Sequence, residues 1–314
     1  MIIKEEPEDF VVEEITNRNF IDDGKLLAYK ATKRNLTTVE MLKRLANANK
    51  LAQSNLGYAG LKDRRAVTAQ YITAPKELKP VKDVTLELVG HTNEPLRLGD
   101  LEANKFSILI KEVMAVRDNA VPNYFGDQRF SHGNLESGLY LVKKDYEHAV
   151  AKLSEQYPAI KEALTRRVSP LEALKKVPFP VLLLYAHSVQ SFLWNEVVSA
   201  WVKDLYAEAD SAIYTHGELL FPKTLPDLNV PLVGPTEELG LWEDYYDVLL
   251  SKLGITKNDF YNRSYPQLTL EGGNRKLRAD IRQKSIKKQD SKVLLKLTLG
   301  PGSYATTCIK AWFS

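Results

Sequence analysis

The chain has 314 residues, of which 26% are charged and 44% hydrophobic, and its formal net charge is +3. This length supports one large or two moderate domains with real cores, and the composition is that of an ordinary globular protein. So small a net charge provides no global field for nucleic acid, so any such surface must come from local basic clusters. The single cysteine, Cys308, excludes an internal disulfide and a multi-cysteine zinc site. It lies in an apolar segment and reads as a small core residue. His91, His132, His148, His187 and His216 are scattered without metal-ligand spacing. Acids stand at the N-terminus where a signal peptide needs an apolar stretch, and no apolar run reaches membrane-spanning length. A cytoplasmic protein without a membrane contact is expected.

In chain order, Pro7 breaks the first segment and Phe10-Val11-Val12 with Ile15 predicts a short strand. Leu26 to Lys30 predicts a second. Thr37-Thr38-Val39-Glu40 is a capping box that opens a helix with Met41, Leu42, Leu45 and Ala46 on one face and Lys43, Arg44 and Asn47 outward. Ala66 to Thr73, Val84 to Val89 and Phe106 to Lys111 predict further strands. From about Asp145 helical patterning takes over. A long helix is predicted over Val181 to Ala209, with Val189, Phe192, Leu193, Val197, Ala200 and Trp201 on one side. Tyr214 to Tyr246 is rich in proline and glycine. A helix over Leu241 to Leu253 carries Tyr245, Val248 and Leu249 on a common side. Arg275 to Lys288 is the most basic run, readable as a guarded strand edge or as a track for an RNA backbone. Leu294 to Leu299 is a buried strand candidate, followed by a turn at Gly300-Pro301-Gly302.

Two stretches carry chemistry. Between the small, flexible Gly57-Tyr58-Ala59-Gly60 and the strand that follows sits one carboxylate, Asp63, among Lys62, Arg64 and Arg65. The glycines permit a sharp turn or a close approach of a substrate. The surrounding cations favour the ionised acid and can also hold phosphate. A solvated turn is the plainer reading of such a triplet. In Val121-Pro122-Asn123-Tyr124-Phe125-Gly126-Asp127-Gln128-Arg129-Phe130, a phenyl ring can stack on a flipped base, an amide can bond to a base edge or orient a carboxylate, and an arginine can take phosphate. An aromatic cluster under a loop is the alternative. No Gly-rich phosphate loop supports an NTPase, and no second acid beside Asp63 supports a small-molecule hydrolase.

Gly57 to Gln70 closely resembles the signature of the TruD family of tRNA pseudouridine synthases. The match implies that Asp63 is the catalytic residue, with Gly60, Lys62 and Arg64 beside it as substrate-binding candidates. Lys4…Pro7-Glu8-Asp9-Phe10-Val11-Val12-Glu13-Glu14 is similar to the family's N-terminal motif, whose lysine, here Lys4, lies in the active site and is the candidate to pair with Asp63 and hold it ionised and oriented, with Lys62 and Arg64 left to loop or RNA-backbone contacts. Asn123-Tyr124-Phe125-Gly126…Gln128-Arg129-Phe130 resembles a second signature. It implies that Asn123 and Phe125 line the site, that Phe125 stacks on the target base, and that Gln128 and Arg129 belong to the same substrate-binding stretch. Gln190 to Glu196 is similar to a family helix, and Pro231 to Pro235 to the Gly-Pro region of the inserted domain. Gly302-Ser303-Tyr304-Ala305-Thr306 resembles the C-terminal motif that closes the catalytic sheet, and adds Tyr304 to the candidates. Where members commonly continue with Arg-Glu, this chain has Ile309-Lys310-Ala311.

The resemblance implies an α+β fold. A pseudouridine-synthase-type catalytic domain on a mainly antiparallel or mixed sheet with flanking helices spans residues 1–148 and 277–314. A mostly helical inserted TRUD domain spans 149–276, and the two form a cleft. It implies isomerisation of uridine to pseudouridine in tRNA, at position 13 in the D arm, without metal or cofactor. The alternative is a non-catalytic RNA-binding or RNA-chaperone protein on the same scaffold. A monomer is expected, since no long unexplained apolar stripe stands out.

Overall fold

The structure, a computed structural model, describes residues 1–314. The chain packs as two units, residues 1–116 with 280–305 and 313, and residues 117–279 with 306–312 and 314. The first unit contains β1 (Phe10–Ile15), β2 (Leu26–Arg34), α1 (Thr38–Ala48), β3 (Gly57–Tyr58), β4 (Val67–Ala74), β5 (Val84–Thr92) and β6 (Ala103–Ile110). The second contains α2 (Asn134–Val142), α3 (Tyr146–Leu153), α4 (Pro158–Thr165), α5 (Pro170–Leu174), α6 (Phe179–Leu205), β7 (Asp210–Tyr214), β8 (Gly217–Phe221), β9 (Asn229–Leu232), α7 (Glu243–Leu253) and β10 (Gly273–Lys276). The chain then returns to the first unit with β11 (Ile281–Gln289) and β12 (Lys292–Leu299), and ends in α8 (Ala305–Phe313).

The first unit is one mixed sheet in the order β11-β12-β6-β1-β4-β2-β5, with β3 paired to β4. Only β1 and β4 run parallel; the other pairs are antiparallel. Strand alternation sorts the residues. Phe10, Val12, Tyr29, Ala31 and Ile72 are buried, while Val11 between the first two is 37% exposed. The predicted capping box forms: the Glu40 amide donates to Thr37 Oγ1 (3.1 Å), and the Thr37 amide donates to Glu40 Oε2 (2.9 Å). The helix it opens buries Met41, Leu42, Leu45 and Ala46 against Tyr29, Ala31, Ile72 and Val84. At roughly 1.5–3 kcal/mol for each large apolar side chain, this burial fixes α1 on the sheet, and with it the chain that α1 feeds into the Asp63 loop.

The second unit is mostly helical and is built on α6. Pro180 sits in the first turn of α6, where a missing amide costs nothing. Buried residues run round most of the helix, from Leu182 to Val202. α2 approaches it so closely at Gly138 that a Cβ would lie 2.1 Å from the Tyr185 carbonyl oxygen. Gln190, predicted only as part of a packed helix, donates to Val233 O (2.7 Å) and Glu271 O (3.0 Å), tying the Gly-Pro region to α6.

One expectation changes. The proline- and glycine-rich region contains the hairpin β7-β8 and the strand β9, which pairs with the distant β10. On α7 the buried residues are Tyr246 and Leu250, continuing the stripe begun by Trp242, whereas Val248 is 69% exposed. Two apolar stripes share this helix at the same spacing, and the larger aromatic area of Trp242 and Tyr246 settles which one is buried. The basic run places β11 at the edge of the sheet, and Cys308 is buried as expected.

Candidate active site

In the first unit, the segment between β3 and β4 is pinned at successive residues. Gly57 precedes it where the neighbouring chain comes very close: a Cβ there would meet Thr73 Oγ1 at 2.4 Å and Leu96 O at 2.7 Å. Gln70 Nε2 donates to Gly60 O (3.3 Å), and Thr38 Oγ1 at the start of α1 donates to Gln70 Oε1 (2.8 Å). The same Thr38 oxygen accepts from the Lys62 amide (2.9 Å). The Lys62 ammonium donates to Asn104 Oδ1 (2.7 Å) and lies 2.7 Å from the fully buried Glu14 carboxylate. That contact meets the distance of an ion pair without the angle of a hydrogen bond. Glu14 also accepts from the Tyr71 amide on β4 (3.2 Å). Gly60 leaves room here, since a Cβ would stand 3.3 Å from Lys62 Nζ.

Asp63 follows, 28% exposed at its side chain, with Oδ2 accepting from Lys4 Nζ at 2.5 Å. Lys4 has φ +57, in the left-handed region, which costs a non-glycine residue roughly 1–2 kcal/mol. Its ammonium also stands 4.0 Å from the Phe10 ring centroid, a cation–π contact at the start of β1. Arg64 leaves the carboxylate and pairs with Glu40 (2.5 Å), and Arg65 donates to Glu5 O (2.8 Å). The cation that pairs with Asp63 is thus a remote one, Lys4, while the adjacent Lys62, Arg64 and Arg65 are engaged elsewhere.

In the second unit, the stretch from Asn123 to Phe130 is a folded clamp. The Asn123 amide donates to Leu277 O (2.7 Å), and its carbonyl accepts from Arg275 Nε (2.8 Å). The side chain of Asn195 on α6, itself fully buried, takes both main-chain groups of Phe125: Oδ1 accepts from its amide and Nδ2 donates to its carbonyl, each at 2.9 Å. The Phe125 ring packs edge-on against Trp194 (5.9 Å, 88°). The Arg275 guanidinium lies 3.9 Å from its centroid and the Arg129 guanidinium 5.5 Å. Tyr124 is wholly buried, donating to Leu220 O (3.0 Å), and burial holds its phenol well above the ordinary range. The Phe125 ring is itself buried, with the Arg275 guanidinium over its face, so a base stacking there must displace that guanidinium.

The family profile of tRNA pseudouridine synthase D (TruD) matches residues 1–169 and 223–311. The chain belongs to the TruD family. It is 27% identical to a Methanocaldococcus jannaschii protein named "Probable tRNA pseudouridine synthase D 2", over 387 residues covering 100% of this chain and 92% of that one. It is 28% identical to tRNA pseudouridine synthase D of Syntrophotalea carbinolica (98% and 94% covered) and 25% identical to that of Aquifex aeolicus (99% and 97% covered). In fold it is similar to the crystal structure assigned to TruD of Methanosarcina mazei, with a TM-score of 0.69 and 21% identity, covering 99% of this chain and 93% of that one.

Of the TruD-motif residues, Lys4 and Asp63 are in direct contact, with Gly60 and Lys62 in the floor of the same loop. Asn123, Phe125 and Arg129 are gathered in the clamp. Arg64 is drawn to α1, and Gln128 is exposed. Tyr304 precedes α8 and is half-buried. In the segment where members commonly continue with Arg-Glu, Lys310 pairs with Asp127 of the Asn123 stretch (3.1 Å). Residues that the sequence reading passed over are Lys33, Glu14, Thr38, Gln70 and Asn195. An inward lysine and an inward glutamate in otherwise apolar strand alternations were the available signal for Lys33 and Glu14. No sequence signal distinguished Asn195 within its helix.

Proposed function

We propose that this chain isomerises uridine to pseudouridine in tRNA, with Asp63 acting on the flipped nucleotide and Phe125 as the surface on which its base stacks. The observation that carries the reading is the 2.5 Å Lys4–Asp63 pair on a loop whose backbone is anchored at Gly60, at Lys62 and at Asp63 itself. The reaction breaks the N-glycosidic bond of uridine, turns the uracil and joins its C5 to the ribose, with loss of the C5 proton. These atoms are out of reach in a stacked helix, so the nucleotide must leave the stack at a cost of a few kcal/mol. Stacking on an aromatic ring such as Phe125 offsets about 1–3 kcal/mol of this. Asp63 serves as nucleophile or as base toward the sugar, and Lys4 holds its carboxylate in place. Asn123, Gly60, Lys62, Arg64, Gln128, Arg129 and Tyr304 are the proposed substrate-binding residues.

The family resemblance supports uridine 13 of the D arm as the target. It also supports a catalytic domain of residues 1–148 and 277–314, with residues 149–276 as an inserted domain that helps choose the site. No helix is long and apolar enough to cross a membrane, and we place the protein in the cytoplasm as a monomer. The test is release of tritium from unmodified tRNA labelled at C5 of uridine. Wild type should release label. Asp63→Asn should release none while binding the same tRNA within a few fold. An active mutant would remove Asp63 from its role, and bound tRNA with no release by either protein would favour a binding protein instead.

A further inference from the structure

Lys33 on β2 is a lysine in a core position. It follows Tyr29 and Ala31 on the inward side of the strand and is 0% exposed. Its ammonium donates to two main-chain carbonyls, those of Leu36 and of Asp63, the latter at 2.8 Å. Its neighbours across the sheet carry no charge, since it pairs with Thr68 on β4 and Val84 on β5. The charged groups facing it are Asp63 and Lys62 from the loop and Glu40 from α1. An ammonium solvated by carbonyls alone is an expensive way to fill a strand interior, because burial opposes the charge and an apolar side chain of similar volume packs there at less cost. What the charge does at this position is local: it grips the backbone at the very residue whose side chain Lys4 holds.

We propose that Lys33 is a positioning residue for Asp63, whose buried ammonium clamps the Asp63 main chain and places a fixed positive charge beneath its carboxylate. The proposal rests on the reading of Asp63 as the reacting group. It adds a second anchor to that reading. Lys4 fixes the carboxylate from the side-chain end, and Lys33 fixes the same residue from its carbonyl. Two anchors on one residue define both where the carboxylate lies and which way it points, and an error of about 1 Å in such a placement can cost about a hundredfold in rate.

The charge on Lys33 is sensitive to pH in a useful direction. Burial lowers its pKa to about 8, with the Asp63 charge working the other way and the Lys62 charge adding to the lowering. The positive charge beneath the loop is therefore lost as pH rises through about 8. Over the window from there toward the ordinary lysine value of 10.5, the folded chain binds fewer protons than the unfolded one, so this group raises stability as pH rises. A rate that falls while the fold does not weaken separates positioning from mere support.

The experiment follows single-turnover tritium release, tRNA affinity and thermal melting from pH 6.5 to 9.5 for wild type, Lys33→Met and Asp63→Asn. Wild type should lose rate with a midpoint near pH 8, without loss of melting temperature. Lys33→Met should be slower by about tenfold to a hundredfold, bind tRNA within about twofold of wild type, and lack that step in its pH profile. Asp63→Asn should be inactive throughout. Full activity of Lys33→Met beside an inactive Asp63→Asn would overturn the role of Lys33 alone. So would a wild-type profile with no step near pH 8, a reading that holds even if the methionine variant fails to fold. Activity of Asp63→Asn would overturn the reading of Asp63 and the proposal with it.

Discussion

At the scale of the residue, the two candidate groups are held in different ways. Asp63 is anchored through charge, with Lys4 on its carboxylate and Lys33 on its carbonyl. Phe125 is anchored through its backbone by one amide side chain, Asn195, which leaves the ring to be set by Trp194 and Arg275. A ring held in that way can be removed without removing its supports. Phe125→Ala is therefore expected to keep a cooperative melt, losing some 3–5 kcal/mol at most for a buried phenylalanine, and to lose turnover. Circular dichroism melts beside tritium release check it, and wild-type turnover in the variant would place the stacking surface elsewhere. The motifs marked Asp63, Asn123 and Phe125 as candidates from sequence. It did not show that Arg64 would turn away to Glu40 or that Arg275, far along the chain, would lie over the Phe125 ring. Ion pairs and ring contacts of this kind are set by where side chains end, and sequence spacing does not carry that information across separate segments.

At the scale of the element, α1 links stability to the loop. Its capping box holds Glu40 in an ionised form, first through the Thr37 amide and then through the Thr37 hydroxyl, and Glu40 in turn pairs with Arg64. The next residue, Thr38, holds the loop through the Lys62 amide and Gln70. Thr37→Ala should lower unfolding free energy by about 1 kcal/mol, the usual cost of a lost N-cap, read from urea titration. A change within error would mean that Glu40 caps the helix unaided. The helix was legible because capping box and apolar face agreed on where it begins and what it buries. The inward face of α7 was not, because two stripes of equal spacing compete there and the packing partner decides. The strands β7 to β10 escaped notice because β9 finds its partner only at β10, and a run broken by proline and glycine gives a weak local signal.

At the scale of the whole molecule, a net charge of +3 leaves RNA binding to local surfaces, and sheet register says which face each lysine serves. Tracing the pairs Lys33–Thr68, Val12–Thr68, Phe10–Ile108, Leu295–Ile108 and Ile286–Leu295 puts Lys33 on the same face as Ile286, and hence as Lys288 two residues on. Lys287 points to the opposite face. Lys288→Ala should therefore weaken tRNA binding and reduce the slope of log affinity against log salt by about one charge's share, near 0.7–0.9, with Lys287→Ala changing less. Filter binding at several salt concentrations measures it. Equal and negligible effects would return β11 to the role of a guarded edge. The sequence by itself determined the class of fold and most elements of the sheet unit, and marked the candidate carboxylate and ring, because hydrophobic period, capping chemistry and short motifs are local and survive without a partner in view. Lys4 was the expected partner of Asp63, and the structure pairs them; only the tertiary structure decided that the buried Lys33 grips the Asp63 carbonyl and that Asn195 and Arg275 frame Phe125. Those choices depend on register across a sheet and on packing between segments far apart in the chain, where burial and charge are settled jointly by residues that no local pattern connects.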